Sequence, residues 1–199
     1  MNGEPKFREE ILAIKPYVPG KPIEEVQREL GISDVIKLAS NENPLGPSPM
    51  ALETIKGSLN NIHIYPDGSA FKLKQKISEK FKVQPSQILV GNGSDESIKL
   101  IAEAYLNAGE EVIVPDPSFS EYEFAAKIMG GTCDYSPLDS EFRLDLKDMV
   151  SRITPRTKLI FVCNPNNPTG TIVTRQEIET FLDQVPGNIL VVFDEAYNE

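Results

Sequence analysis

From residue 88 onward the chain alternates short, unbroken apolar runs with longer stretches in which apolar residues recur every three or four positions. The runs are Ile88-Leu89-Val90, Val112-Ile113-Val114, Leu159-Ile160-Phe161-Val162 and Ile189 to Phe193. Runs this short with no polar alternation are the pattern of strands covered on both faces. Before and between them the spacing predicts helices. One carries Leu73, Ile77 and Phe81, with Ser69 as its cap, and a second carries Ile98, Ile101, Ala102 and Tyr105. A third carries Phe119, Tyr122, Ala126 and Met129 and closes at Gly130-Gly131. In the fourth, Thr174 and Glu177 form a capping box ahead of Ile178, Phe181 and Leu182. Strands of this kind joined by helices predict an α/β fold: three layers, α/β/α, around a mainly parallel sheet.

The first forty residues read differently. Pro16, Pro19, Gly20 and Pro22 punctuate an arm before a short helix with Ile23, Val26 and Leu30 on one face, ended by Gly31. A short extended stretch from Val35 to Ala39 then enters Ser40-Asn41-Glu42-Asn43-Pro44-Leu45-Gly46-Pro47, whose Asn, Pro and Gly content predicts a shaped loop. Internal repeats and low-complexity segments are absent from the sequence.

Composition narrows the function classes. With 40% hydrophobic and 25% charged residues, the 199-residue chain reads as globular. A net charge of −10, from 30 acidic and 20 basic residues, argues against nucleic acid as the partner, because phosphate backbones demand clustered Lys and Arg. Cys133 and Cys163 lack metal-ligand spacing, so reduced thiols are expected and no metal. The absence of a spanning apolar run or a signal peptide predicts a cytoplasmic protein with no membrane partner.

In a parallel sheet, ligands sit beyond the carboxyl ends of the strands. Gly91-Asn92-Gly93, Pro115-Asp116-Pro117, Asn164 to Gly170 and Asp194 to Tyr197 are all expected there. Each residue also has an ordinary structural reading. Asp194 can be a helix N-cap, or can pair with a protonated pyridine nitrogen. Tyr197 can be core, or can reach the phenolic oxygen of the same ring. Asn167, in Pro165-Asn166-Asn167-Pro168-Thr169-Gly170, can be turn geometry, or can donate its amide to that oxygen. Gly91-Asn92-Gly93-Ser94-Asp95 can be a plain strand-to-helix turn, or can hold a phosphate on backbone N–H groups; it has neither dinucleotide nor Walker spacing. Phe119 can be core, or can lie on the ring. Taken together, an acid, an amide, a phenol and an aromatic at one sheet edge fit pyridoxal 5'-phosphate.

The order of these motifs resembles the fold type I, class I and II aminotransferases, and within them the histidinol-phosphate aminotransferase subgroup. The segments that carry the subgroup resemblance are Pro16-Tyr17-Val18-Pro19-Gly20, Leu38 to Gly46, Tyr65-Pro66-Asp67-Gly68 and Asp194-Glu195-Ala196-Tyr197. The resemblance implies that Gly93, Ser94 and Asp95 bind the cofactor phosphate, that Phe119 stacks on the ring, and that Asn167 and Tyr197 partner its phenolic oxygen. It assigns Asp194 to the ring nitrogen, and Asp194 and Tyr197 to the catalytic groups. Tyr65 is implied to reach the cofactor phosphate of a neighbouring subunit, which makes a homodimer. Tyr17 and Asn43 are implied to line the substrate side.

The resemblance covers roughly the first half of the family's usual length. It assigns residues 1–40 to an arm of the small domain and 41–199 to part of the large cofactor-binding domain, with the C-terminal domain absent. None of the lysines lies in the motif that carries the cofactor covalently. The implied activity of the complete protein is amino transfer between histidinol phosphate and a 2-oxo acid, 2-oxoglutarate, while the fragment alone is expected to be inactive. The rivals are another aminotransferase or a phospho-amino-acid decarboxylase on the same scaffold, a non-catalytic cofactor-binding relative, and a nucleotide-binding domain.

Overall fold

The computed structural model describes residues 6–12, 14 and 20–198. They fall into two compact units, Pro16–Val90, and Met1–Lys15 together with Gly91–Glu199. The helices are α1 (Glu9–Leu12), α2 (Ile23–Leu30), α3 (Pro49–Ser58), α4 (Phe71–Phe81), α5 (Gly93–Tyr105), α6 (Glu121–Ile128), α7 (Leu146–Ser151) and α8 (Arg175–Leu182). The strands are β1 (Glu111–Asp116), β2 (Thr132–Pro137), β3 (Thr157–Cys163) and β4 (Leu190–Asp194).

In the unit containing the sheet, the strands lie in the order β2-β1-β3-β4 and every pairing is parallel. Period-two alternation along each strand divides the core between two faces. Val112 and Val114 of β1 with Leu159, Phe161 and Cys163 of β3 pack against Ile98 and Ala102 of α5 and Tyr122, Ala125 and Ala126 of α6. Ile113, Ile160 and Val162 face the other way, onto Leu146 and Met149 of α7 and Phe181 of α8. This is the expected α/β/α sandwich. Its centre is dry: Val112, Ile113, Leu159, Ile160, Phe161 and Val162 are fully buried, each contributing about 1.5–3 kcal/mol of apolar burial.

Four local readings need correction. Ile88-Leu89-Val90 forms no strand, and Leu89 is exposed. A strand exists through its partner's backbone groups, and no strand of the described chain pairs with this segment. Residues 132–158 carry two elements not predicted above: the edge strand β2, half polar and paired with β1, and the six-residue α7, whose N-terminus is capped by Asp145 accepting from Lys147 and Asp148 N–H. The third helix starts at Glu121, so Phe119 lies in the turn ahead of it. At α4, Asp67 rather than Ser69 caps the start, accepting from the N–H groups of Ser69 at 2.9 Å and Phe71 at 3.2 Å. Those bonds, together with the Ser69 hydroxyl, hold the Asp67 carboxyl below its usual range.

The unit Pro16–Val90 contains α2, α3, α4 and two 3₁₀ turns. Gly31 ends α2 in the left-handed conformation, at φ 68°. Val35 to Ala39 runs extended without a ladder. None of the described residues in this unit is buried.

Candidate functional site

The carboxyl ends of β1, β3 and β4 gather most of the expected site residues. Cys163, at the end of β3, is the register partner of Asp194, at the end of β4, and Asn164 N–H donates to the Asp194 carbonyl at 2.9 Å. The turn after β3 then folds back. Asn167 N–H points at Cys163 Sγ at 3.4 Å, so Asn167 and Asp194 meet the same residue from two strands.

The three asparagines of this turn are used differently. Asn164 closes the loop, its amide donating to the Val173 carbonyl at 3.1 Å and its Oδ1 accepting from Val173 N–H at 3.0 Å. Asn166 is buried and ties the turn to the segment after β1: Ser118 Oγ donates to its Oδ1 at 2.8 Å, and its Nδ2 donates to the Pro117 carbonyl and Thr169 Oγ1. The half-buried Asn167 is the one whose side-chain amide makes no hydrogen bond among the described residues. It is therefore the amide available to a ligand. The peptide bonds at Asp116-Pro117, Asn164-Pro165 and Asn167-Pro168 are cis.

Asp194 is half-buried, with both oxygens engaged. Tyr122 donates its hydroxyl to Oδ2 at 2.7 Å, and Ala196 N–H donates to Oδ1 at 3.1 Å. Asp194 thus caps a turn rather than the helix expected from its N-cap reading, since no helix follows it in the described chain. The Tyr122 ring stacks on Phe161 at 4.5 Å and meets Phe119 edge-on at 5.7 Å. Burial, reinforced by Cys163 and Asp194, drives the Tyr122 phenol's pKa far up, so it remains a donor at any working pH. Tyr197 is half-exposed, in a turn closed by Asn198 N–H donating to the Glu195 carbonyl.

Gly93, Ser94 and Asp95 form the first turn of α5, with Gly93 at φ 83°. Their N–H groups precede the intrahelical ladder and are the donors an anion would use. Glu96 caps the preceding Asn92 N–H at 2.5 Å. Burial first, and then the Asp95 charge, raise the Glu121 carboxyl's pKa.

The remaining expected residues lie in the other unit or outside the described residues. Tyr65 and Asn43 belong to the unit Pro16–Val90. Tyr65 is almost fully exposed, and Asn43 shapes its own loop by accepting from Leu45 N–H at 3.0 Å. Tyr17 lies outside the described residues. Sequence reasoning missed Tyr122, Ser118 and Asn166. Tyr122 left one signal, a tyrosine on the buried face of a helix, whose hydroxyl must find a partner. A cavity of about 540 Å³ between α7 and α8, lined by Arg143 and Glu177 among others, holds none of these residues.

The chain is 58% identical to the histidinol-phosphate aminotransferase of Moorella thermoacetica over 98% of its own length and 50% of the relative's. Its fold superimposes on the crystal structure of histidinol-phosphate aminotransferase from Sinorhizobium meliloti in complex with pyridoxal-5'-phosphate with a TM-score of 0.87, at 24% identity over 99% of this chain and 52% of that one. The enzyme of the same name from Clostridium acetobutylicum matches with a TM-score of 0.71, at 30% identity over 80% of this chain and 46% of that one. The chain thus spans about half the length of the relatives it matches. A family model for aminotransferase class I and II matches residues 33–199, from the loop before α3 through the strand ends that carry Asn167 and Asp194, and the chain belongs to that family.

Proposed function

We propose that this chain forms the cofactor-binding part of a histidinol-phosphate aminotransferase, moving an amino group between histidinol phosphate and 2-oxoglutarate. The observation that carries the reading is the joined strand ends of β3 and β4, which bring Asn167 and Asp194 to one residue, Cys163. The 58% identity to a protein of that name supports the choice of substrate.

The donor set fits pyridoxal 5'-phosphate. That group, when bound, supplies the electron sink for cleaving bonds at the amino acid's α-carbon. Asp194, an acceptor on both oxygens, holds a protonated ring nitrogen. Asn167 and Tyr197 donate to the ring's phenolic oxygen, and Phe119 covers a ring face. The first turn of α5, Gly93, Ser94 and Asp95, takes the phosphate on its N–H groups. Tyr65 reaches the phosphate of the partner subunit's cofactor in a homodimer, and Tyr17 and Asn43 line the substrate side. Residues 1–40 serve as the arm of the small domain and 41–199 as part of the large domain.

Two measurements test this. Titration of the chain should show saturable binding of pyridoxal phosphate and none of ATP or NAD; the reverse preference would overturn the cofactor assignment. Assay of the whole protein should show histidinol phosphate preferred over aspartate, alanine and aromatic donors, with 2-oxoglutarate as acceptor. Preference for another donor would move the protein elsewhere in the family.

A further inference from the structure

We propose that Tyr122 is a positioning residue that holds the Asp194 carboxylate aimed at the cofactor's ring nitrogen, while registering it against Phe119. The inference rests on the cofactor reading above and extends it to a side chain that otherwise looks like core.

Tyr122 has almost no freedom. It is 1% exposed, its ring lies 11° from parallel with Phe161 at 4.5 Å, and it stands at 85° to Phe119 at 5.7 Å. Those two contacts fix the ring plane, and the hydroxyl meets Asp194 Oδ2 at 2.7 Å. The Ala196 N–H takes the other oxygen. A carboxylate offers about four lone-pair sites, so two donors orient it and still leave capacity for a third. With the Tyr122 hydroxyl and the Ala196 N–H both donating to it, Asp194 faces the ring nitrogen as an acceptor, and Tyr122 keeps its own proton. The same tyrosine touches both the acid and the aromatic assigned to the ring face, so a single buried side chain sets the spacing between nitrogen partner and stacking partner.

The test compares pyridoxal 5'-phosphate with its 1-deaza analogue, in which C–H replaces the ring nitrogen, binding to the full chain. The wild type should hold the natural ring at least about tenfold more tightly than the analogue, as expected for a hydrogen bond between charged groups. Tyr122→Phe, which keeps the ring packing, should shrink that ratio by about tenfold while leaving the analogue's affinity in place. A structural role would instead weaken both ligands together. Asp194→Asn should erase the ratio and provides the second variant if Tyr122→Phe folds poorly. A ratio unchanged or enlarged in Tyr122→Phe, parallel loss of both ligands, or a ratio surviving in Asp194→Asn overturns the inference while leaving the cofactor reading intact. Failure of the wild type to bind either ligand overturns the cofactor reading itself.

Discussion

Asn164, Asn166 and Asn167 carry the same amide, yet two of them are consumed in holding the turn and one is left over. The division predicts opposite phenotypes. Asn166→Ala removes the buried amide that joins Ser118 and Pro117 to the turn and should cost about 1–3 kcal/mol, seen as a lower midpoint in denaturant. Asn167→Ala should leave that midpoint nearly unchanged, within about 0.5 kcal/mol, and weaken pyridoxal phosphate in titration. Glu177 gives a residue-scale pH effect. The Thr174 hydroxyl and N–H, and then the Arg143 guanidinium, hold its carboxyl at about 2 instead of the usual 4.5. A depressed folded-state pKa contributes stability that is present above 4.5 and is lost as pH falls toward 2. Thermal melts of wild type should therefore drop across that window, and Glu177→Gln should drop less steeply. An equal slope for the two would show that the contribution lies elsewhere.

At the scale of elements, Gly131 shows how a helix end and a strand start are fitted together. A Cβ there would stand 2.6 Å from Leu106 Cδ2 and 3.1 Å from the Ala126 carbonyl, so the glycine is required by close approach between the end of α6 and the residue following α5. Gly131→Ala should cost about 1–3 kcal/mol by overpacking, measured by chemical denaturation. The glycine pair was legible in the sequence as the end of a helix, and so was the Thr174–Glu177 capping box, which forms as expected. Such signals act within a few residues of themselves. The strand β2 was not predicted: Cys133 and Tyr135 alternate with Thr132, Asp134 and Ser136, but the stretch lacks an unbroken apolar run and becomes a strand by pairing with β1's backbone. Ile88-Leu89-Val90 is the converse: a strand-like composition without a ladder to join.

Across the whole molecule, the two units differ in how much they bury. The sheet unit carries every buried residue among those described, whereas the unit Pro16–Val90 leaves Ile36, Leu38, Leu45, Met50 and Ile62 largely exposed. Elements with few buried contacts open first. Limited proteolysis of the chain should therefore cut between residues 20 and 90 while a fragment resembling 91–198 persists. Simultaneous loss of both segments would show that they unfold as one. No helix of the described chain is long and apolar enough to cross a membrane.

The sequence alone determined the strands β1, β3 and β4, the helices α2, α4, α5, α6 and α8, and that the sheet would be parallel, because apolar periodicity and cap chemistry are local properties of the chain. Tertiary structure decided the rest. The order β2-β1-β3-β4, the separation of Asn167 from its two neighbours, and the seating of the Tyr122 hydroxyl on Asp194 all depend on partners far away in the chain. Tyr122 and Asp194 are 72 positions apart, a distance over which no local pattern can tell that a phenol will find an acid.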